Sequence, residues 1–309
     1  MFPLAQVFRN VLTQWGAFIA KAAIGIILVP FLISSLGRSE YGITILIGVF
    51  VGIAELADIG MRTALGRFLA EAEERKSNQD FNSLCSTAAF LWIFIGIGVF
   101  FLNYFFAPFV VGILEVDSEL SELAVFIIRF IAGGLIVFAF VQPTFHAVIS
   151  SHNRFDLISL IETSYTIISG LLLFGILYFA GGDLYYWGVI ILLSRVLALL
   201  AYIFTAKKVA ESLRISTGLI SKDTFFKLFS LGKYLFTLQL TNVLSAKANP
   251  LILTKFFDAA AIALYNPGVV LGEKLRPIIL VLANQLYPVT TKFHVTGEPE
   301  SLIKTLLVG

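Results

Sequence analysis

The chain has 309 residues, of which 58% are hydrophobic and only 14% charged, with a formal net charge of +2 and a mean hydropathy of +0.90. Soluble domains carry roughly 45–50% apolar and 25% charged residues, so a water-soluble globular protein is excluded. The 30 Phe and 9 Pro fall in long apolar runs with short polar breaks, not in ten-residue alternation, which reads as membrane helices and not as an outer-membrane barrel.

The expected fold is all-α, a polytopic transmembrane helix bundle. With about 20 apolar residues needed to cross ~30 Å of hydrocarbon, about eight complete spans can be placed. Their approximate limits are 11–35, 42–66, 82–106, 123–149, 156–180, 185–206, 230–254 and 262–290. The N-terminal segment MFPLAQVFRN has one positive charge and no small-residue cleavage site after it, so the first span is read as retained. Its loops carry the orientation. One set holds Arg9, Arg75, Lys76, Arg154, Lys207, Lys208, Arg214, Lys222, Lys227, Lys292 and Lys304; the other holds only Arg38 and Lys255 beside an acidic loop with Glu115, Asp117, Glu119 and Glu122. The positive-inside rule then puts the N-terminus and the basic loops in the cytoplasm. External loops are too short to form a receptor or catalytic domain.

The organisation expected is a six-span N-terminal lobe over 1–206, a basic amphipathic cytoplasmic linker over 207–229, and the start of a second lobe over 230–309. The linker, KKVAESLRISTGLISKDTFFKLF, mixes Phe225, Phe226 and Phe229 with Lys222 and Lys227, a composition suited to the inner leaflet. A faint repeat joins Pro30-Phe31-Leu32-Ile33 of the first span to Pro250-Leu251-Ile252-Leu253 of the seventh. The closing SLIKTLLVG reads as the beginning of a ninth apolar run, which points to a truncated second lobe.

Charges inside the spans are the candidate site. Lys21, Arg129, Arg195, Lys247, Lys274 and Arg276 all fall within apolar segments, and each costs about 2.5–3.5 kcal/mol near the bilayer centre. Lys21 and Arg195 are too deep for easy snorkelling. They either line a wet cavity or pair with Glu55, Asp58 or Glu162. Arg129 lies nearer the outer end, where its side chain can snorkel. Lys274 and Arg276 have Glu273 as a local partner and Pro277 as a helix-kinking neighbour, and Lys247 shares a polar break with Asn249 and Pro250. A cavity with excess cationic lining attracts anions, with phosphate and pyrophosphate foremost in a membrane setting. Glu55, Asp58 and Arg62 fall at i, i+3 and i+7 at the inner end of the second span, as a structural ion-pair ladder or as a gate.

Other chemistry is not indicated. His146, His152 and His294 have no partners at metal-ligand spacing, Cys85 is alone, and no GxxxxGK[ST], GxSxG or HExxH occurs. Neither a metal, a cofactor nor a catalytic residue is therefore expected, nor a nucleic-acid partner.

Pro30, Leu36, Gly37, Tyr41 and Gly42, followed by Asp58, Gly60, Ala64, Arg67 and Phe68, with Tyr265 and Pro288 later, resemble in combination and order the polysaccharide (O-antigen type) flippases of the multidrug/oligosaccharidyl-lipid/polysaccharide exporter superfamily. The resemblance implies two pseudo-symmetric six-helix lobes around a central cavity. It further implies a non-enzymatic transporter, driven by an ion gradient, that moves an undecaprenyl-diphosphate-linked oligosaccharide across a bacterial plasma membrane. Partners would be that lipid-linked substrate, membrane lipids and other polysaccharide-assembly proteins. Such families have twelve or more spans, and four would be missing here. A multidrug or cation antiporter of the same superfamily should carry acidic cavity residues, and a glycan polymerase or ligase should carry a large external loop; the basic deep charges and short loops disfavour both.

Overall fold

The computed structural model describes residues 4–37, 61–113, 118–181 and 183–237, together with Glu40 and Tyr41 just before the second span and Ile43, Thr44, Ile47 and Val51 within it. All the regular structure among these residues is helical. The elements are α1 (Leu4–Leu36), α2 (Met61–Glu74), α3 (Asn78–Ile113), α4 (Ser118–Phe126), a π-helical segment (Ile127–Ala132), α5 (Gly133–Ser151), α6 (Phe155–Ala180) and α7 (Leu184–Val209). A 3₁₀ turn at Thr217–Leu219 precedes α8, helical over 222–237. Among the described residues five helices, Arg9–Leu36, Asn78–Gly112, Leu120–Ser151, Phe155–Phe179 and Leu184–Val209, are long and apolar enough to cross a membrane.

The helices overrun the expected spans. α1 has 33 residues and α3 has 36, against about 20 needed to cross. The second span, expected to close at 66, continues as helix to Glu74 because the AEAEE end is polar but strongly helix-forming. Hydropathy marks the apolar core of a helix and not its emergent turns. Pro30, Pro108 and Pro143 lie inside helices, where a neighbouring helix can accommodate the lost backbone bond.

Packing runs α3 against α5, α1 against α6, α6 against α7, and α5 against α7. Two apolar cores are stacked along the bundle. The one nearer the basic end joins Leu65, Leu69, Leu84, Trp92, Phe140, Val148, Tyr202 and Leu228. The other joins Leu32, Ile43, Ile47, Val111, Ile127, Leu173 and Trp187. Val51 packs on both, so the second span bridges them.

Both ends of the bundle are tied by polar contacts. At the basic end, Asn10 Nδ2 donates to the Asn153 carbonyl at 2.9 Å, and the Asp156 N–H donates to Asn10 Oδ1 at 3.1 Å. Arg9 and Arg154 both pair with Asp156 at 3.0 Å, an acid in the first turn of α6 where the helix dipole favours it. The segment after α7 is held on α3 by neighbouring polar positions: Asn82 takes the Arg214 N–H and donates to the Ser212 carbonyl, both at 2.9 Å. Ser86 Oγ accepts the Ser216 N–H at 3.2 Å and Thr87 Oγ1 the Ser221 N–H at 3.1 Å. These contacts gather the α1 start, the α2–α3 and α5–α6 turns and the stretch after α7 at one end. At the opposite end Glu40 accepts the Leu184 N–H at 3.0 Å, beside the Asp183 N-cap of α7.

Candidate substrate cavity

A cavity of about 680 Å³ lies between the second span, α5, α6 and α7. Its walls change character along the membrane normal. Towards the end that holds Glu40 they are apolar, with Ile47, Leu135, Trp187 and Ile191; deeper they become polar, with Gln142, His146, Glu162, Tyr165 and Arg195. Arg195 is eleven residues into α7, about 16 Å from its start at 1.5 Å per residue, which is mid-membrane depth.

One connected cluster drawn from four helices underlies this polar floor: Gln142, Glu162, Tyr165 and Arg195 line the cavity, whereas Lys21 and Tyr202 reach Glu162 from outside the lining. Lys21 Nζ of α1 lies 3.4 Å from Glu162 Oε2. Gln142 Nε2 donates to Glu162 Oε1 at 3.2 Å, and the Tyr202 hydroxyl donates to the same oxygen at 2.8 Å. Arg195 Nη1 donates to Gln142 Oε1 at 3.4 Å, while its Cζ lies 4.6 Å from the centroid of the Tyr165 ring, within cation–π range. Gln142 therefore relays between the carboxylate and the guanidinium. Lys21 and Arg195 together set two cations against one carboxylate. Arg195 makes no ion pair within 4.0 Å among the described residues, and it lines the cavity.

Arg129 stands apart. It sits in the π-helical segment, where its Nε donates to the Tyr104 carbonyl at 3.1 Å and its guanidinium lies 4.9 Å from the Tyr104 ring centroid. Asn103 Nδ2 donates to the Ile128 carbonyl of the same segment at 2.7 Å. Arg129 is not among the residues that line the cavity. A side chain on Gly133 would meet Phe100 at 2.7 Å, and one on Gly188 would meet Ile131 at 2.9 Å, so α3 and α7 close tightly on both sides of this segment.

Of the other sequence-predicted residues, Arg62 falls in α2, its side chain outside the description. Glu55, Asp58, Lys247, Glu273, Lys274 and Arg276 lie outside the described residues. Gln142, Tyr165 and His146 of the lining, and Tyr202 behind it, were not singled out as site residues by sequence. The signal that could have found Tyr165 and Gln142 is helical spacing: Tyr165 follows Glu162 by three residues, and Gln142 and His146 are four apart.

The family model for polysaccharide biosynthesis proteins matches residues 7–294. No curated protein matches the chain. Among solved structures, MATE in complex with MaD3S is 15% identical at a TM-score of 0.79, covering 98% of this chain and 68% of that one. An outward-facing multidrug resistance MATE family transporter of the MOP superfamily gives 15% and 0.78 with the same coverages. A MOP superfamily transporter from Pyrococcus furiosus, for which reverse polarity of the binding pocket suggests a different function, gives 16% and 0.75, covering 98% and 67%. These likenesses establish the fold: a multi-pass membrane bundle arranged as in MATE transporters. With a family match across nearly its whole length, the chain belongs to the polysaccharide biosynthesis protein family.

Proposed function

We propose that the protein is a transporter, not an enzyme, that flips an undecaprenyl-diphosphate-linked oligosaccharide from the inner to the outer leaflet of the bacterial plasma membrane for surface polysaccharide synthesis. Its N-terminus and basic end face the cytoplasm, in keeping with the positive-inside rule. The observation that carries the reading is Arg195, a mid-membrane guanidinium on the wall of a cavity of about 680 Å³ with no ion-pair partner among the described residues. A buried cation costs several kcal/mol unless it is compensated, and an arriving diphosphate offers that compensation bidentately.

Glu162 fits this role as the resident anion. It occupies Lys21 directly and Arg195 through Gln142 when no substrate is bound. A diphosphate takes over these donors, and Glu162 keeps the Tyr202 hydroxyl. The same carboxylate is the one feature that would serve a cation antiporter. Its oxygens are already engaged by three donors, which favours the anionic substrate.

In the full-length protein, Lys21→Ala and Arg195→Ala are each expected to abolish surface polysaccharide while the protein stays in the membrane. Normal polysaccharide in both variants would contradict the assignment.

A further inference from the structure

Tyr165 lines two cavities at once. One is the central cavity; the other is a cleft of about 220 Å³ in the seam between α6 and α7. Leu160, Ile168 and Leu197 border the cleft, and Leu160 and Leu197 are 62% and 57% exposed, so it opens on the lipid-facing surface. Small side chains make the room: Ser194, Ala198 and Ala201 recur at i, i+4 and i+7 along α7. From Leu160 to Ile168 the cleft runs about 12 Å along α6, in the half nearer the basic end.

A second observation ties the cleft to the cationic site. Ser194 Oγ is buried, with the residue 3% exposed, and has no hydrogen-bond partner among the described residues. An orphan hydroxyl in hydrocarbon is costly. It sits one residue before Arg195, which faces the central cavity across Tyr165. The apolar cleft therefore continues into the cationic site, with one aromatic ring between them.

We propose that this cleft seats the first isoprene units of a polyprenyl tail, that the α6–α7 seam is the lateral passage from the bilayer, and that Tyr165 partitions tail from diphosphate. The inference rests on the flippase reading and adds the tail site to it. An ordinary phospholipid keeps its headgroup at the interface. Only an amphiphile whose head is drawn in to the depth of Arg195 brings its first carbons into the cleft, one aromatic ring away from its diphosphate.

The test uses full-length protein in nanodiscs, with a long-chain polyprenyl diphosphate and inorganic pyrophosphate as probes. Ala198→Trp, which fills the cleft, is expected to weaken the long-chain probe at least tenfold and leave pyrophosphate unchanged. Arg195→Ala is expected to weaken both. If Ala198→Trp binds the long-chain probe like the wild type while Arg195→Ala binds neither, the tail site is wrong and the flippase reading stands. If Arg195→Ala leaves both affinities unchanged, the flippase reading itself fails. Should Ala198→Trp lose both probes, photocrosslinking decides: p-benzoylphenylalanine at Leu197 should capture an alkyne-tagged polyprenyl diphosphate in preference to the same group at lipid-facing Phe94. Equal capture at the two positions overturns the tail site.

Discussion

Arg195 and Arg129 are two arginines inside apolar helices, and each lies face-on to a tyrosine, at 4.6 and 4.9 Å from the ring centroid. What else they touch separates them. Arg129 bonds a backbone carbonyl within the fold and lines no part of the cavity. Arg195 borders a cavity and reaches an amide that in turn holds a carboxylate, with no ion pair of its own among the described residues. An intramembrane cation is thus not a substrate site by its cost alone. Its hydrogen-bond partners decide whether that cost is settled within the fold or held for a ligand.

The comparison can be broken at several points. Short of removing Arg195 itself, the largest effect is expected from Glu162→Gln, which removes the resident anion but keeps the shape. Affinity for a polyprenyl diphosphate should rise severalfold while turnover falls, as Lys21 and Arg195 lose the group that reclaims them; unchanged binding would deny Glu162 that role. Gly133→Ala comes next, since its methyl group would drive into Phe100. Overpacking of this kind costs typically 1–3 kcal/mol, read as a lower melting temperature in detergent with substrate affinity intact. Arg129→Met should cost about as much or less, through its cation–π and carbonyl contacts, and leave transport within twofold. A loss of transport at normal stability would move Arg129 into the site.

The smallest effect concerns Glu40 at the opposite end of the bundle. Burial pushes its carboxyl above the ordinary glutamate value of 4.5, and nearby Asp183 adds to this, although the Leu184 N–H bond works the other way. The folded state therefore binds the proton more tightly than the unfolded one, and stability falls as pH rises through the window just above 4.5. Glu40→Gln should flatten that slope in a thermal-shift series and keep the bond to Leu184. A slope unchanged by the substitution would assign it elsewhere.

Much of the bundle was legible in sequence because burial in lipid leaves a strong signal: a run of apolar residues, and a penalty for every charge within it. That is why Lys21 and Arg195 stood out and why Glu162 could be named among the possible partners of these cations. Gln142, Tyr165 and Tyr202 are neutral and carry no such penalty, so their meeting depends on how α5, α6 and α7 cross. The π-helical IIRFIA segment has no glycine or proline to announce it. Helix ends were also hidden, because α2 finishes in charged residues that resemble a loop by hydropathy and a helix by propensity.

The central claim, that Arg195 meets the anionic head of the substrate and Arg129 does not, is tested most directly by transport in proteoliposomes. Flipping of a fluorescent polyprenyl-diphosphate-linked oligosaccharide should fall at least tenfold in Arg195→Ala and stay within twofold of the wild type in Arg129→Met, at equal reconstituted amounts. Equal loss in both variants, or none in Arg195→Ala, would contradict it.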